Sequence, residues 1–77
     1  MESPKTLFQL REWLIQNNKE NYVAINESML IEGCGIEKWG ELYIWYYCEK
    51  GERENLNYFG IEEEAVSFIL QDLAKIN

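Results

Sequence analysis

Apolar residues first recur at helical spacing. Leu7, Leu10, Trp13 and Leu14 fall on one stripe, Phe8 and Ile15 widen it, and Gln9, Arg11, Glu12 and Gln16 occupy the other side. Ser3-Pro4 reads as the start, with Ser3 as N-cap and Pro4 at the first helical position. Asn17-Asn18 reads as the stop, because asparagine tolerates the left-handed conformation found just past helix ends. The pattern predicts a helix over residues 4–17. Residues 19–32 carry no clear period. Within them Tyr22-Val23-Ala24-Ile25 fits either a short strand or an ordered loop against the core, and Met29-Leu30-Ile31 fits an extension of the strand that follows.

From Gly33 the period becomes two. Cys34 to Lys38, Glu41 to Cys48 and Arg53 to Phe59 read as three strands, the middle one rich in aromatic and β-branched residues. Trp39-Gly40 and Lys50-Gly51 read as two-residue connections, each with a glycine able to take positive φ. These loops would set Lys38 opposite Glu41, Ile36 opposite Tyr43 and Cys34 opposite Trp45. In the next hairpin Tyr47 would face Glu54, Trp45 would face Leu56, and Tyr43 would face Tyr58. One sheet face would then carry Cys34, Ile36, Tyr43, Trp45, Tyr47, Leu56 and Tyr58. The other would carry Glu37, Leu42, Ile44, Tyr46, Cys48, Asn55 and Asn57, a mixture suited to partial exposure. Cys34 and Cys48 would lie three positions apart along the ladder, roughly 10 Å, too far for a disulfide.

A second helix follows Phe59-Gly60. Glu62, Glu63 and Glu64 occupy its first turn, where the helix dipole favours negative charge, and Lys75 lies near its end. Ala65, Val66, Phe68, Ile69, Leu73 and Ile76 make its buried stripe. The expected fold is α+β: a two-layer α-β-β-β-α arrangement, with a three-stranded antiparallel meander and both helices on the Tyr43/Trp45/Tyr47 face. At 77 residues this is one domain with one core.

Composition narrows the function. Fourteen acids, thirteen of them glutamate, face seven bases, for a net charge of −7. Such a field repels phosphate backbones and anionic lipid, so neither nucleic-acid nor membrane binding is expected, and it speeds encounter with basic partners. It also serves solubility alone. The opening Met1 to Lys5 lacks a basic stretch leading into an apolar run, and no segment approaches a membrane span, so the expected compartment is the cytoplasm. Histidine is absent, which removes the commonest general base and metal ligand. Two cysteines without C-x-x-C spacing do not make a zinc site, and Gly33-Cys34-Gly35 is not a phosphate-cradling loop. Paired glutamates can do acid/base work, but a sheet with one helical layer has little depth for a pocket that would tune them. No cofactor and no catalysis are expected.

Binding is the remaining class. Trp39, at a hairpin tip, is either presented to a partner or folded back over the sheet edge. Tyr46, beside Leu42 and Ile44, lies either on an open face or beneath residues 19–32. Glu37, Glu41, Glu49, Glu52 and Glu54 stand around them on strands or turns, where no helix dipole accounts for them, as an acidic rim for a basic partner or as ordinary solvated glutamates.

The stretches Ile36-Glu37-Lys38, Trp45-Tyr46-Tyr47-Cys48-Glu49-Lys50-Gly51 and Tyr58-Phe59-Gly60-Ile61-Glu62-Glu63-Glu64-Ala65 resemble small bacterial immunity proteins of polymorphic toxin systems, those of contact-dependent growth inhibition among them. The likeness covers about half the chain. It departs at Gly60, where Asp or Ser is usual, and at Cys48, where Ser is common. What the resemblance implies is a cytoplasmic protein that forms a 1:1 complex with a cognate toxin domain, often a basic nuclease, and occludes its active site or substrate cleft. It carries over no interface residue. The alternative is a small adaptor or regulatory module unrelated to toxins.

Overall fold

The computed structural model describes residues 3–27 and 29–75. Its elements are α1 (Leu7–Gln16), β1 (Val23–Ile25), β2 (Gly33–Trp39), β3 (Leu42–Glu49), β4 (Glu52–Phe59) and α2 (Glu62–Ala74). The class is α+β, built on a four-stranded mixed sheet of order β1-β2-β3-β4. The expected meander is its β2-β3-β4 part. The additional strand comes from the poorly patterned segment, and β1 pairs with β2 in parallel.

The first helix begins three residues later than Ser3-Pro4 suggests, because a stronger cap lies downstream. Thr6 Oγ1 accepts from Gln9 N–H at 3.1 Å, and Gln9 Oε1 accepts from Lys5 N–H at 2.8 Å, a capping box shifted by one residue. Leu7 N–H, another donor with no partner inside its own helix, bonds Glu62 Oε2 at 2.7 Å. The exit is the expected one. Asn18 takes φ 56°, Asn18 N–H reaches Ile15 O, and Lys19 N–H reaches Leu14 O at 2.7 Å, which together make a Schellman motif.

Glu62 therefore serves both helices: it sits in the first turn of α2 and closes the first turn of α1. Glu62→Ala is expected to cost about 1–2 kcal/mol, the worth of a cap plus a dipole contact. Thermal unfolding should show a Tm lower by several degrees, with Glu63→Ala nearly silent because Glu63 is exposed.

The main core lies between the sheet and both helices. Leu7, Leu10 and Leu14 of α1 and Ala65, Val66, Ile69 and Leu73 of α2 pack with Val23, Ile36 and Trp45. Phe68 of α2 meets Phe59 at 5.2 Å between ring centroids, and Trp45 Nε1 donates to Asp72 Oδ2 at 2.8 Å. The expected Ile76 position lies outside the described residues. No helix among those described is long and apolar enough to cross a membrane.

Both hairpins correct the expected register. In the first, the loop is Gly40-Glu41, with Trp39 opposite Leu42, Ile36 opposite Trp45 and Cys34 opposite Tyr47. Gly40 supplies positive φ at the first loop position, φ 59°, which suits a II′-type turn better than the second position assumed from sequence. The slip moves each partner by two, so every side chain keeps its face. In the second, Lys50 and Gly51 both take positive φ and Tyr47 faces Glu54, as expected. A bulge then intervenes: Asn55 adopts φ 55°, and Asn55 and Leu56 together oppose Tyr46. Beyond it the parity flips. Trp45 faces Asn57 and Tyr43 faces Phe59, so Phe59 enters the core while Leu56 and Tyr58 turn to the opposite face.

That opposite face is not open. Residues 27 and 29–31 lie over part of it as a strap. Tyr46 Oη reaches Glu27 O at 3.4 Å, Cys48 Sγ reaches Leu30 O at 3.1 Å, and Gly51 N–H bonds Ile31 O at 3.0 Å. Ile44, Tyr46 and Cys48 form a second buried cluster, with Leu30 packed on it. Both cysteines are free thiols. They are diagonal neighbours, closer than the sequence register implied, yet alternation points them to opposite faces.

Candidate functional site

The strap is bonded at the Tyr46–Gly51 end of the second face and stops short of the β2-β3 hairpin tip. There Trp39 and Leu42, cross-strand partners, stay exposed, Trp39 at 62%. Tyr58 pairs with Ile44 and is 59% exposed, and Leu56 follows two residues before it on the same face. The bulge is what brings Leu56 and Tyr58 here. An uninterrupted ladder would turn them toward the helices, which is where the period-two pattern alone places them. Asn55, a residue type that tolerates left-handed φ, was the available signal.

A polar chain holds the Trp39 end of this patch in place. Glu37 is ion-paired with Arg53, and its Oε2 accepts from Trp39 Nε1 at 3.0 Å. Arg53 lies over the Tyr46 ring, 4.3 Å from its centroid, in a cation–π contact. Tyr46 in turn lies across Gly35, its cross-strand partner. The order Tyr46–Arg53–Glu37–Trp39 thus runs from a buried ring to an exposed one. It fixes the Trp39 indole before any partner arrives, which lowers the ordering cost of binding.

Each expected site residue has a definite place. Trp39 is presented, not folded back. Glu41 sits beside it in the hairpin loop, exposed. Glu37 shares the patch but is mostly buried, its side chain 13% exposed and committed to Arg53. Tyr46 is corrected: at 1% exposure beneath the strap it supports the surface and cannot be part of it. Glu49, Glu52 and Glu54 lie on the other side of the sheet, sharing parity with Tyr43, Trp45 and Tyr47, so they do not rim the Trp39 patch. Glu49 stands directly opposite Glu52, a repulsive cross-strand pair, and Glu54 stands opposite exposed Tyr47. Glu37–Arg53 is the one ion pair among the described residues, so these carboxylates are not neutralised by neighbouring bases.

Two groups are held neutral. Burial pushes the Tyr46 phenol above its ordinary value, with the Arg53 charge pulling the other way. Burial, and then the Asp72 carboxylate, push the Cys34 thiol up, which leaves it a poor nucleophile. Among the described residues no three Cys, Asp or Glu side chains converge as a metal site.

Arg53→Met keeps much of the packing over Tyr46 but removes the counter-ion of a mostly buried carboxylate. It is expected to cost about 1–3 kcal/mol, less than a fully buried pair because Arg53 is partly solvated. A double-mutant cycle with Glu37→Gln checks this: the cost of Arg53→Met should shrink when Glu37 carries no charge.

No family model matches the chain, and neither the curated proteins nor the solved structures contain a match to it.

Proposed function

We propose that this chain is an immunity-type protein, which binds one cognate toxin domain and neutralises it by covering its active site or substrate cleft. The observation that carries the reading is the Trp39–Leu42–Leu56–Tyr58 surface with its braced Trp39, an exposed aromatic and aliphatic patch on a chain of net charge −7. Aromatic anchors of this kind supply most of the binding energy in protein interfaces. The charge supplies the encounter: an acidic inhibitor is steered toward a basic cleft, where a nuclease would otherwise hold phosphates. Glu41 belongs to the contact surface, whereas Glu49, Glu52 and Glu54 act at long range from the other side of the sheet. The half-chain resemblance to immunity proteins adds the toxin to this picture. In this reading the chain itself carries out no reaction and works in the cytoplasm.

The experiment begins with the gene immediately upstream. The C-terminal domain it encodes is produced and tested for killing, with and without co-expression of this chain. Protection, together with a 1:1 complex, supports the reading. The association rate should fall by tenfold or more between low salt and roughly 0.5 M salt, because exposed charges are screened beyond a few Å there. A metabolic neighbour and no protection would leave the adaptor alternative in its place.

A further inference from the structure

The two edges of the sheet differ. The β4 edge is blunted by the Asn55–Leu56 bulge and by Glu52, Arg53 and Glu54. The β1 edge, Val23-Ala24-Ile25, has no charge, no proline and no bulge. Asn26 N–H bonds Ile36 O at 2.8 Å, so by alternation the N–H and C=O groups of Val23 and Ile25 point away from β2. They face a groove of about 390 Å³ between β1 and α1, lined by Arg11, Ile15, Glu20, Val23, Ile25 and Glu27 among others. That volume lies within the range of ligand clefts, about 300–1,000 Å³.

We propose that the free edge of β1 and the groove along α1 form a strand-addition site, which takes an extended, basic segment of a partner protein as a fifth strand. Unpaired ladder groups call for a polypeptide, and the apolar floor of Val23, Ile25 and Ile15 calls for alternate apolar side chains. Charge sets the sign. Glu20 and Glu27 line both this groove and a smaller one on the strap side, where Glu32 joins them, against Arg11 as the one cation. None of these carboxylates is ion-paired among the described residues. A second copy of the chain would bring the same carboxylates and a net charge of −7, so self-pairing is disfavoured. The site lies on the opposite edge of the sheet from β4 and is independent of the Trp39 patch.

The probe is an end-blocked heptapeptide alternating valine and lysine, titrated into the isotope-labelled full chain and followed by NMR. Chemical shifts should move at Ile15, Val23 and Ile25, amide exchange at Val23 and Ile25 should slow by about tenfold or more, and the Trp39 indole signal should stay put. The same peptide N-methylated at its central amides, or with glutamate in place of lysine, should bind at least about tenfold more weakly. The exposed double variant Glu20→Lys/Glu27→Lys should lose a similar factor, and Trp39→Ala should change nothing. Shifts centred on Trp39 and Tyr58, equal binding of the N-methylated peptide, no response at roughly millimolar peptide, or peptide-free self-association that protects Val23 and Ile25 would each overturn the proposal. Because Trp39→Ala acts on the toxin interface alone, failure here is separable from failure of the immunity reading.

Discussion

Gly35→Ala is expected to remove about half or more of the stability of this protein. A Cβ at position 35 would stand 2.7 Å from Tyr46 Cζ and Oη and 3.0 Å from Cε2, closer than carbon atoms tolerate. The ring has nowhere to retreat. It is 1% exposed, its hydroxyl is tied to Glu27 O, and Arg53 lies over its face. Either the strands separate or Tyr46 leaves its rotamer, which unseats the strap and exposes Ile44 and Cys48. Overpacking alone costs about 1–3 kcal/mol, and partial exposure of a large aromatic adds a comparable amount. A chain of this length commands only about 4–12 kcal/mol in total. Urea unfolding should show a midpoint lowered by roughly half or more, and thermal unfolding a Tm lower by about 15 °C or more. Tyr46→Leu, which replaces the ring with a shorter side chain, should recover part of the loss in the Gly35→Ala background. An unperturbed Gly35→Ala protein would mean that Tyr46 does not lie over β2.

The second large effect is on binding, with the fold untouched. Trp39 and Tyr58 are both mostly exposed, so Trp39→Ala/Tyr58→Ala should alter stability by no more than about 1 kcal/mol. On the proposed immunity reading, affinity for the toxin domain should fall by a hundredfold or more, since truncation of a central aromatic anchor costs about 2 kcal/mol or more each time. Most of that loss should appear as faster dissociation, because short-range packing is made only in the complex. Glu49→Gln/Glu52→Gln/Glu54→Gln should behave in the opposite way. Those carboxylates lie across the sheet from the patch, so association slows and loses part of its salt dependence while dissociation hardly changes. Surface kinetics on the purified complex separates the two patterns. Normal affinity in the Trp39/Tyr58 variant would place the interface elsewhere.

The contrast between these variants follows the line between legible and illegible features. The Leu7–Leu10–Leu14 stripe of α1, the Asn17-Asn18 stop, the aromatic β3 strand, the Lys50-Gly51 turn and the α2 stripe are readable, because each rests on contacts or dihedrals within a few residues. Phe8 and Ile15, which widen the α1 stripe by spacing, stand exposed instead. The start of α1 lies three residues beyond its Ser3-Pro4 signal, since Thr6 and Gln9 cap it jointly and Glu62 completes the cap from 55 positions away. Sequence leaves Tyr22–Ile25 open between a short strand and a loop, and the structure takes the strand at Val23–Ile25. It is a strand because β2 lies beside it, and three residues are too few to show alternation. Within the candidate site, sequence singles out Glu37, Trp39 and Glu41, whereas Leu56, Tyr58 and the bracing role of Arg53 emerge only from the fold.

Sequence alone therefore determined the α+β class, the order of the helices and the meander, and the faces of β2 and β3, which survived a two-residue slip because alternation depends only on parity. It also determined the acidity that any partner must match. Tertiary structure decided which face is covered, where the patch ends and which carboxylates share it. One asparagine at φ 55° reverses parity in half of β4, and one strap buries Tyr46 while leaving Trp39 in water. Both depend on groups distant in the chain meeting in space, and a local pattern does not encode such meetings.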